Sequence, residues 1–150
     1  MSVQSFISTT AGTLDSKGRV CIPAAYRQIL AAQNTSGVYI FPSFSDDALE
    51  CFGQALMDKT SERLAQLDPF LSPLHDDLAS QIVAESVSLP IDENGRVRLP
   101  DAFIQAARLK ERVLFVGLVQ KFQIWDPDTY APIKEKRLAA ARAARGTVPV

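Results

Sequence analysis

The chain has 150 residues, 47% hydrophobic and 22% charged, the composition of a folded protein rather than of a disordered or collagen-like segment. Its longest apolar run, Val113 to Val119, is far short of the roughly 20 residues a membrane span needs, and Met1 to Phe6 has neither a basic region nor an apolar signal core, so neither a membrane anchor nor export is expected. Sixteen Lys+Arg against seventeen Asp+Glu leave a net charge of −1, which argues against a uniformly basic nucleic-acid binder but leaves local patches open.

In chain order, the first signal is a turn, Asp15 to Gly18, between two stretches of strand character. Pro23 then opens a short helix to Leu30. Val38 to Phe41 reads as a strand. Residues Ala48 to Phe52 are ambiguous: Ser45-Asp46-Asp47 resembles a helix N-cap with Leu49, Phe52 and Leu56 at helical spacing, but internal repetition in the chain places them as a strand, and that reading is adopted. A helix follows from just past Gly53 to about Leu67. Asp68 to Pro73 is rich in breakers, and Ser72 and Pro73 sit as N-cap and first residue of another helix whose apolar face is Leu74, Leu78 and Ile82. Val87, Leu89 and Ile91 lead into a second turn at Asp92 to Gly95, and Val97 and Leu99 lead out. A helix from Pro100 to Leu109, strands at Val113 to Gly117 and Phe122 to Trp125, and a helix from Ala131 to Arg145 complete the chain, with a frayed end from Gly146 to Val150.

The two turns are copies. Leu14-Asp15-Ser16-Lys17-Gly18-Arg19-Val20-Cys21-Ile22-Pro23 matches Ile91-Asp92-Glu93-Asn94-Gly95-Arg96-Val97-Arg98-Leu99-Pro100 without a gap, 77 positions apart. Each unit reads as strand, turn, strand, short helix, strand, strand, and two such units packed as a pseudo-dimer are the economical arrangement. Alternation puts Val20, Val97 and Leu99 inward and Arg19, Arg96 and Arg98 outward. A pseudo-two-fold axis would bring both turns onto one surface showing Lys17, Arg19, Arg96 and Arg98, where cations contact phosphates or guanine edges. Asp15 and Asp92, each four residues before its arginine, are placed to hold the guanidinium. The same pair reads equally as a surface salt bridge that only shapes a turn.

Other residues point elsewhere or nowhere. Cys21 and Cys51 form no disulfide framework and suit a reduced cytosolic protein; one histidine and two cysteines make a zinc site improbable. No convergent acid, histidine or nucleophile cluster accompanies the aspartates, so no enzyme, cofactor or small-molecule substrate is expected. His75 reads as a solvated capping residue, and Trp125 with Phe122 as core. From Lys134 onward, Lys134, Lys136, Arg137, Arg142 and Arg145 oppose one acid, Glu135, which makes either a solvated face or a phosphate contact.

The doubled Asp-x-x-x-Arg motif, together with Val116-Gly117-Leu118-Val119-Gln120-Lys121-Phe122-Gln123-Ile124-Trp125-Asp126, resembles the MraZ family of bacterial transcriptional regulators over about residues 6 to 137. The resemblance implies an α+β fold in which two AbrB/SpoVT-like units form one swapped-hairpin barrel, with helices between the units and at the C-terminus. It divides the chain into a first repeat at 1–53, a helical linker at 54–84, a second repeat at 85–130 and a basic helix and tail at 131–150. It further implies ring-shaped homo-oligomers, a cytoplasmic, nucleoid-associated location, and binding to short G-rich direct repeats in the promoter DNA of a division and cell-wall gene cluster that begins with the regulator's own gene. Asp15, Arg19, Asp92 and Arg96 are the residues carried over from its motif. The chain departs from a typical member where Pro42-Ser43-Phe44-Ser45-Asp46-Asp47 replaces a compact Thr-Arg-Gly-like turn. A ring-forming scaffold without a DNA role and an AbrB-like antitoxin remain alternatives.

Overall fold

The computed structural model describes residues 5–145; residues 1–4 of the N-terminal stretch and the end expected to fray, Gly146 to Val150, lie outside the described residues. The element order is β1 (Thr9–Thr13), β2 (Arg19–Cys21), α1 (Ala24–Ala32), β3 (Gly37–Pro42), β4 (Ala48–Phe52), α2 (Gln54–Leu64), α3 (Pro73–Gln81), β5 (Val87–Pro90), β6 (Arg96–Arg98), α4 (Asp101–Ala106), β7 (Arg112–Gly117), β8 (Phe122–Trp125) and α5 (Pro127–Ala143). The fold is α+β. Residues Ala48–Phe52 form a strand, as the repeat requires, paired with β3 on one side and β8 on the other.

The strands flanking each turn do not form a hairpin ladder with each other, contrary to the simplest reading of the turns. The legs of the first turn are joined only next to it, by the bridge of Leu14 to Val20 and by Asp15 N–H donating to the Arg19 carbonyl at 2.9 Å. Instead β1 pairs with β7, β5 with β3 and β2 with β6, giving an antiparallel six-stranded sheet in the order β1-β7-β8-β4-β3-β5 and a two-stranded ribbon β2-β6. A three-residue strand is too short to hold a hairpin alone; pairing like with like across the two halves also buries Val20 and Val97 together.

The register reveals an approximate two-fold axis. In the ribbon Val20 faces Val97, its own counterpart in the repeat. In the sheet, Glu50 faces Gln123. These two also hold matching places in their hairpins, opposite Phe41 and Val116. Each half therefore lends its first strand to the hairpin of the other.

Between sheet and ribbon lies the main core, including Phe6, Tyr26, Leu30, Ile40, Phe115 and Phe122. A smaller cluster on the opposite sheet face gathers Ala48, Val116, Trp125 and Tyr130 with Ile133 of α5. Both faces of β4 and β8 are covered, which is why they read as near-continuous buried runs.

Several helix ends differ from expectation. Pro23 and Pro100 are N-cap residues rather than first helical residues. Helix α1 runs on to Ala32 while α4 stops at Ala106, each followed within two residues by a left-handed residue, Asn34 (φ 58°) or Arg108 (φ 55°). Helix α2 ends at Leu64, before the expected Leu67. Helix α5 begins at Pro127, four residues before Ala131, because the Asp126 carboxylate accepts the N–H groups of Asp128 and Thr129 at 3.0 and 3.2 Å. Ser72 makes no side-chain cap on α3, and the apolar face expected there is not buried: Leu74 and Leu78 are 53% and 38% exposed. Among the described residues no helix is long and apolar enough to cross a membrane.

Candidate nucleic-acid interface

Each turn is built by its aspartate. Asp15 Oδ1 accepts the backbone N–H groups of Lys17 and Arg19, both at 2.9 Å, while Gly18 N–H donates to the Asp15 carbonyl at 3.0 Å. Asp92 Oδ1 accepts from Asn94 and Arg96 at the same 2.9 Å, and Gly95 N–H donates to the Asp92 carbonyl at 3.0 Å. Gly18 and Gly95 take φ +78° and +79°, a region a side chain strains to enter. The backbone N–H of Arg19 is the chief cause holding the Asp15 carboxyl below its ordinary 3.8, aided by the Arg19 guanidinium; the N–H of Arg96 does the same for Asp92.

The expected hold on the arginine occurs in one copy. Arg19 Nε donates to Asp15 Oδ2 at 2.8 Å. Arg96 makes no ion pair among the described residues, so in the second turn the aspartate shapes backbone alone.

The turns are locked to each other through the ribbon. Leu99 N–H donates to the Gly18 carbonyl at 2.8 Å, and Ile22 N–H to the Gly95 carbonyl at 2.9 Å. The ribbon's inner face is Val20 and Val97; its outer face carries Arg19, Cys21, Arg96 and Arg98. Register sets Arg19 directly opposite Arg98 and Cys21 opposite Arg96. Like charges facing across antiparallel strands cost roughly 0.2–1 kcal/mol, so a ribbon selected for stability alone gains nothing from this pairing. Arg19, Arg96, Arg98 and Asp92 line one shallow cleft with Pro90. Arg19 also contributes to lowering the Asp92 pKa, which couples the first strand to the second turn.

Not every candidate joins this cleft. Lys17 is exposed at the tip of its turn, and its counterpart is Asn94 beside Glu93, so the two tips differ in charge. Asp15 lines a separate groove with Ser16, Lys110 and Glu111. Trp125 and Phe122 are core, and half-buried His75 sits 3.0 Å from Asp76 rather than capping in solvent. Of the basic tail, Arg137 turns inward: its Nη2 donates to Asp46 and Gln123 at 3.3 and 3.2 Å, and its guanidinium lies 5.6 Å from the Trp125 ring centre. Asp46 belongs to the lengthened β3–β4 connection. Gln123 also accepts from Trp125 Nε1 and donates to buried Glu50, which receives Lys121 Nζ at 2.9 Å.

Sequence reasoning missed the residues that brace the turns. Arg27 of α1 donates through Nε to the Ile22 carbonyl at 3.0 Å and packs where a side chain on Gly95 would stand, 2.7 Å from such a Cβ. Its counterpart Ile104 of α4 packs on Gly18. Both stand four residues after the motif proline, but an arginine and an isoleucine share no residue type that would have signalled a common role. Among the described residues no cluster of three His, Cys, Asp or Glu could hold a metal ion.

Comparison with known proteins bears on this geometry. A family model described as "MraZ protein, putative antitoxin-like" matches residues 82–147. The chain is 41% identical over 130 residues to the "Transcriptional regulator MraZ" of Parvibaculum lavamentivorans, covering 86% of this chain and 80% of that protein. It is 36% identical over 129 residues to the protein of that name from Pelagibacter ubique, covering 86% and 83%. With that of Hyphomonas neptunium it shares 33% over 166 aligned positions, covering 95% and 99%.

Proposed function

The chain belongs to the MraZ family, and from that premise we propose that it is a transcription regulator that binds double-stranded promoter DNA through the outer face of the β2–β6 ribbon. Arg19 and Arg96 read guanine edges, Arg98 and Lys17 add phosphate or base contacts, and Asp15 and Asp92 hold the turns in the presenting shape. The observation that carries this reading is the opposed pair Arg19 and Arg98, in one cleft with Arg96: like charges face each other across the ribbon, and of the three only Arg19 is in an ion pair among the described residues.

The six-stranded sheet and the ribbon together act as one swapped-hairpin barrel made from repeats at 1–53 and 85–130, with 54–84 as the helical linker and 131–150 as a basic helix and tail. Protomers assemble into a ring. Side-by-side ribbons then engage successive short direct repeats upstream of the chain's own gene in a division and cell-wall cluster, so weak single contacts add to a strong one. This also reconciles the net charge of −1 with DNA binding, since only the repeated patch must be basic. The protein works in the cytoplasm at the nucleoid, without cofactor or small-molecule substrate.

The test is the double variant Arg19→Ala/Arg96→Ala, assayed by mobility shift on DNA from upstream of the gene. Specific binding should vanish while oligomer mass and thermal midpoint stay near those of the parent chain. A variant that binds as the parent does favours the scaffold reading. One that unfolds or dissociates assigns the motif a structural role.

A further inference from the structure

Helix α3 carries an apolar stripe that its own chain leaves uncovered. Leu74 and Leu78 stand on one side of it with Asp77 between them, and just before the helix Phe70 and Leu71 are 94% and 82% exposed. Isolated exposed leucines are ordinary, but a run of four large apolar side chains over nine residues is not. The surrounding segment is acidic: residues 54–86 contain Asp58, Glu62, Asp68, Asp76, Asp77 and Glu85 against Lys59 and Arg63, a net −4.

Helix α5 offers the complement. Its inner side, Tyr130, Ile133 and Arg137, packs on the sheet. Helical spacing places Lys134, Leu138 and Arg142 along one outer stripe, with Leu138 46% exposed among the cations, and Arg145 follows just past the end of the helix. Among the described residues none of Lys134, Lys136, Arg142 and Arg145 is in an ion pair. Helix α5 covers the middle of the sheet, against β7, β8 and β4, whereas α3 packs on α2.

We propose that α3 with Phe70 and Leu71 of one copy docks on the Lys134–Arg142 stripe of α5 of the next copy. The inference rests on the self-assembly reading and supplies its interface. Apolar side chains meet around Leu138 while Asp77, which stands beside Leu74 and Leu78 on α3, faces Lys134 and Arg142. Because the two surfaces are different, the contact is heterologous, the kind that propagates head to tail and closes when the rotation allows. It also gives the basic helix a protein partner in place of DNA phosphate.

The test reverses charge on each side in the full chain: Asp77→Lys in one variant and Lys134→Glu/Arg142→Glu in another, with mass followed by light scattering across protein and salt concentration. The parent chain should be a multimer that salt loosens. Each variant alone should need at least about tenfold more protein to assemble, because like charges then meet at every contact. Mixing the two should restore assembly, since α3 of each variant then finds opposite charge on α5 of the other. Parent-like assembly of both variants, or no recovery on mixing, overturns this interface while leaving a multimeric parent intact. An unchanged mass for Lys134→Glu/Arg142→Glu with a smaller salt slope in DNA binding assigns the stripe to phosphate and overturns it too. A monomeric parent chain removes the self-assembly reading itself, independently of what Arg19 and Arg96 do to DNA.

Discussion

Replacing Arg98 by Glu should move stability and DNA binding in opposite directions. Arg98 lies across the ribbon from Arg19, and it is not among the groups that lower the Asp92 pKa, so its removal costs that turn nothing comparable. The substitution turns a like-charge cross-strand pair into an opposite-charge one. With both side chains reaching solvent, the gain is about 0.5–1 kcal/mol. For a chain of this size that is roughly a 1–4 °C rise in Tm. On the DNA side a cation contact becomes a carboxylate facing phosphate, a loss of about 1–3 kcal/mol, or roughly 5- to 150-fold in Kd. Calorimetry gives the first number, and fluorescence anisotropy on the upstream duplex and a scrambled duplex gives the second. An unchanged Kd with a higher Tm would refute the ribbon as the DNA-facing surface. A lower Tm would refute the argument that this pair is held against a stability cost.

Three further outcomes follow from the turns and the tail. Because Asp15 and Asp92 have folded-state pKa values below 3.8, their contribution is present above about pH 4 and is lost as pH falls through the folded values; Asp15→Asn/Asp92→Asn should flatten the acid limb of a Tm-versus-pH curve, and an unaltered limb refutes the linkage. Gly18→Ala and Gly95→Ala both force alanine to positive φ, at about 1–2 kcal/mol, but only the second also drives Arg27 off the Ile22 carbonyl, so Gly95→Ala should cost about 1 kcal/mol more in urea unfolding. Equal losses would mean that Arg27 does not brace the turn. Arg137→Ala should lower stability by about 1–2 kcal/mol through its contacts with Asp46, Gln123 and Trp125, whereas Arg142→Ala should leave monomer stability within about 0.5 kcal/mol. Similar unfolding midpoints for the two, measured at dilutions where assembly is absent, would refute the inward role of Arg137.

Local chemistry explains what the sequence by itself determined. The paired Asp-x-x-Gly-Arg turns and the inward valines beside outward arginines were legible from short-range rules: a carboxylate reaching N–H groups two and four residues on, a glycine free to take positive φ, and side chains alternating along a strand. Ala48–Phe52 was legible as a strand only through the repeat, since its local signals read as a helix. The start of α5 and the length of α4 were not legible. There a cap at Asp126 and a left-handed Arg108 outweighed helix propensity. Tertiary structure alone decided which strands pair. Nothing within Arg19–Cys21 says that its partner is Arg96–Arg98 rather than its own neighbour across the turn, because a three-residue strand of either copy satisfies the same hydrogen bonds. The exchange of β1 and β5 between halves likewise sets Thr9–Thr13 against residues 112–116 and Val87–Pro90 against residues 37–40, pairings between segments far apart in the chain. That same long-range choice sets Arg19 opposite Arg98. Strand alternation predicts that both point outward, but only the register between segments 77 residues apart puts them face to face.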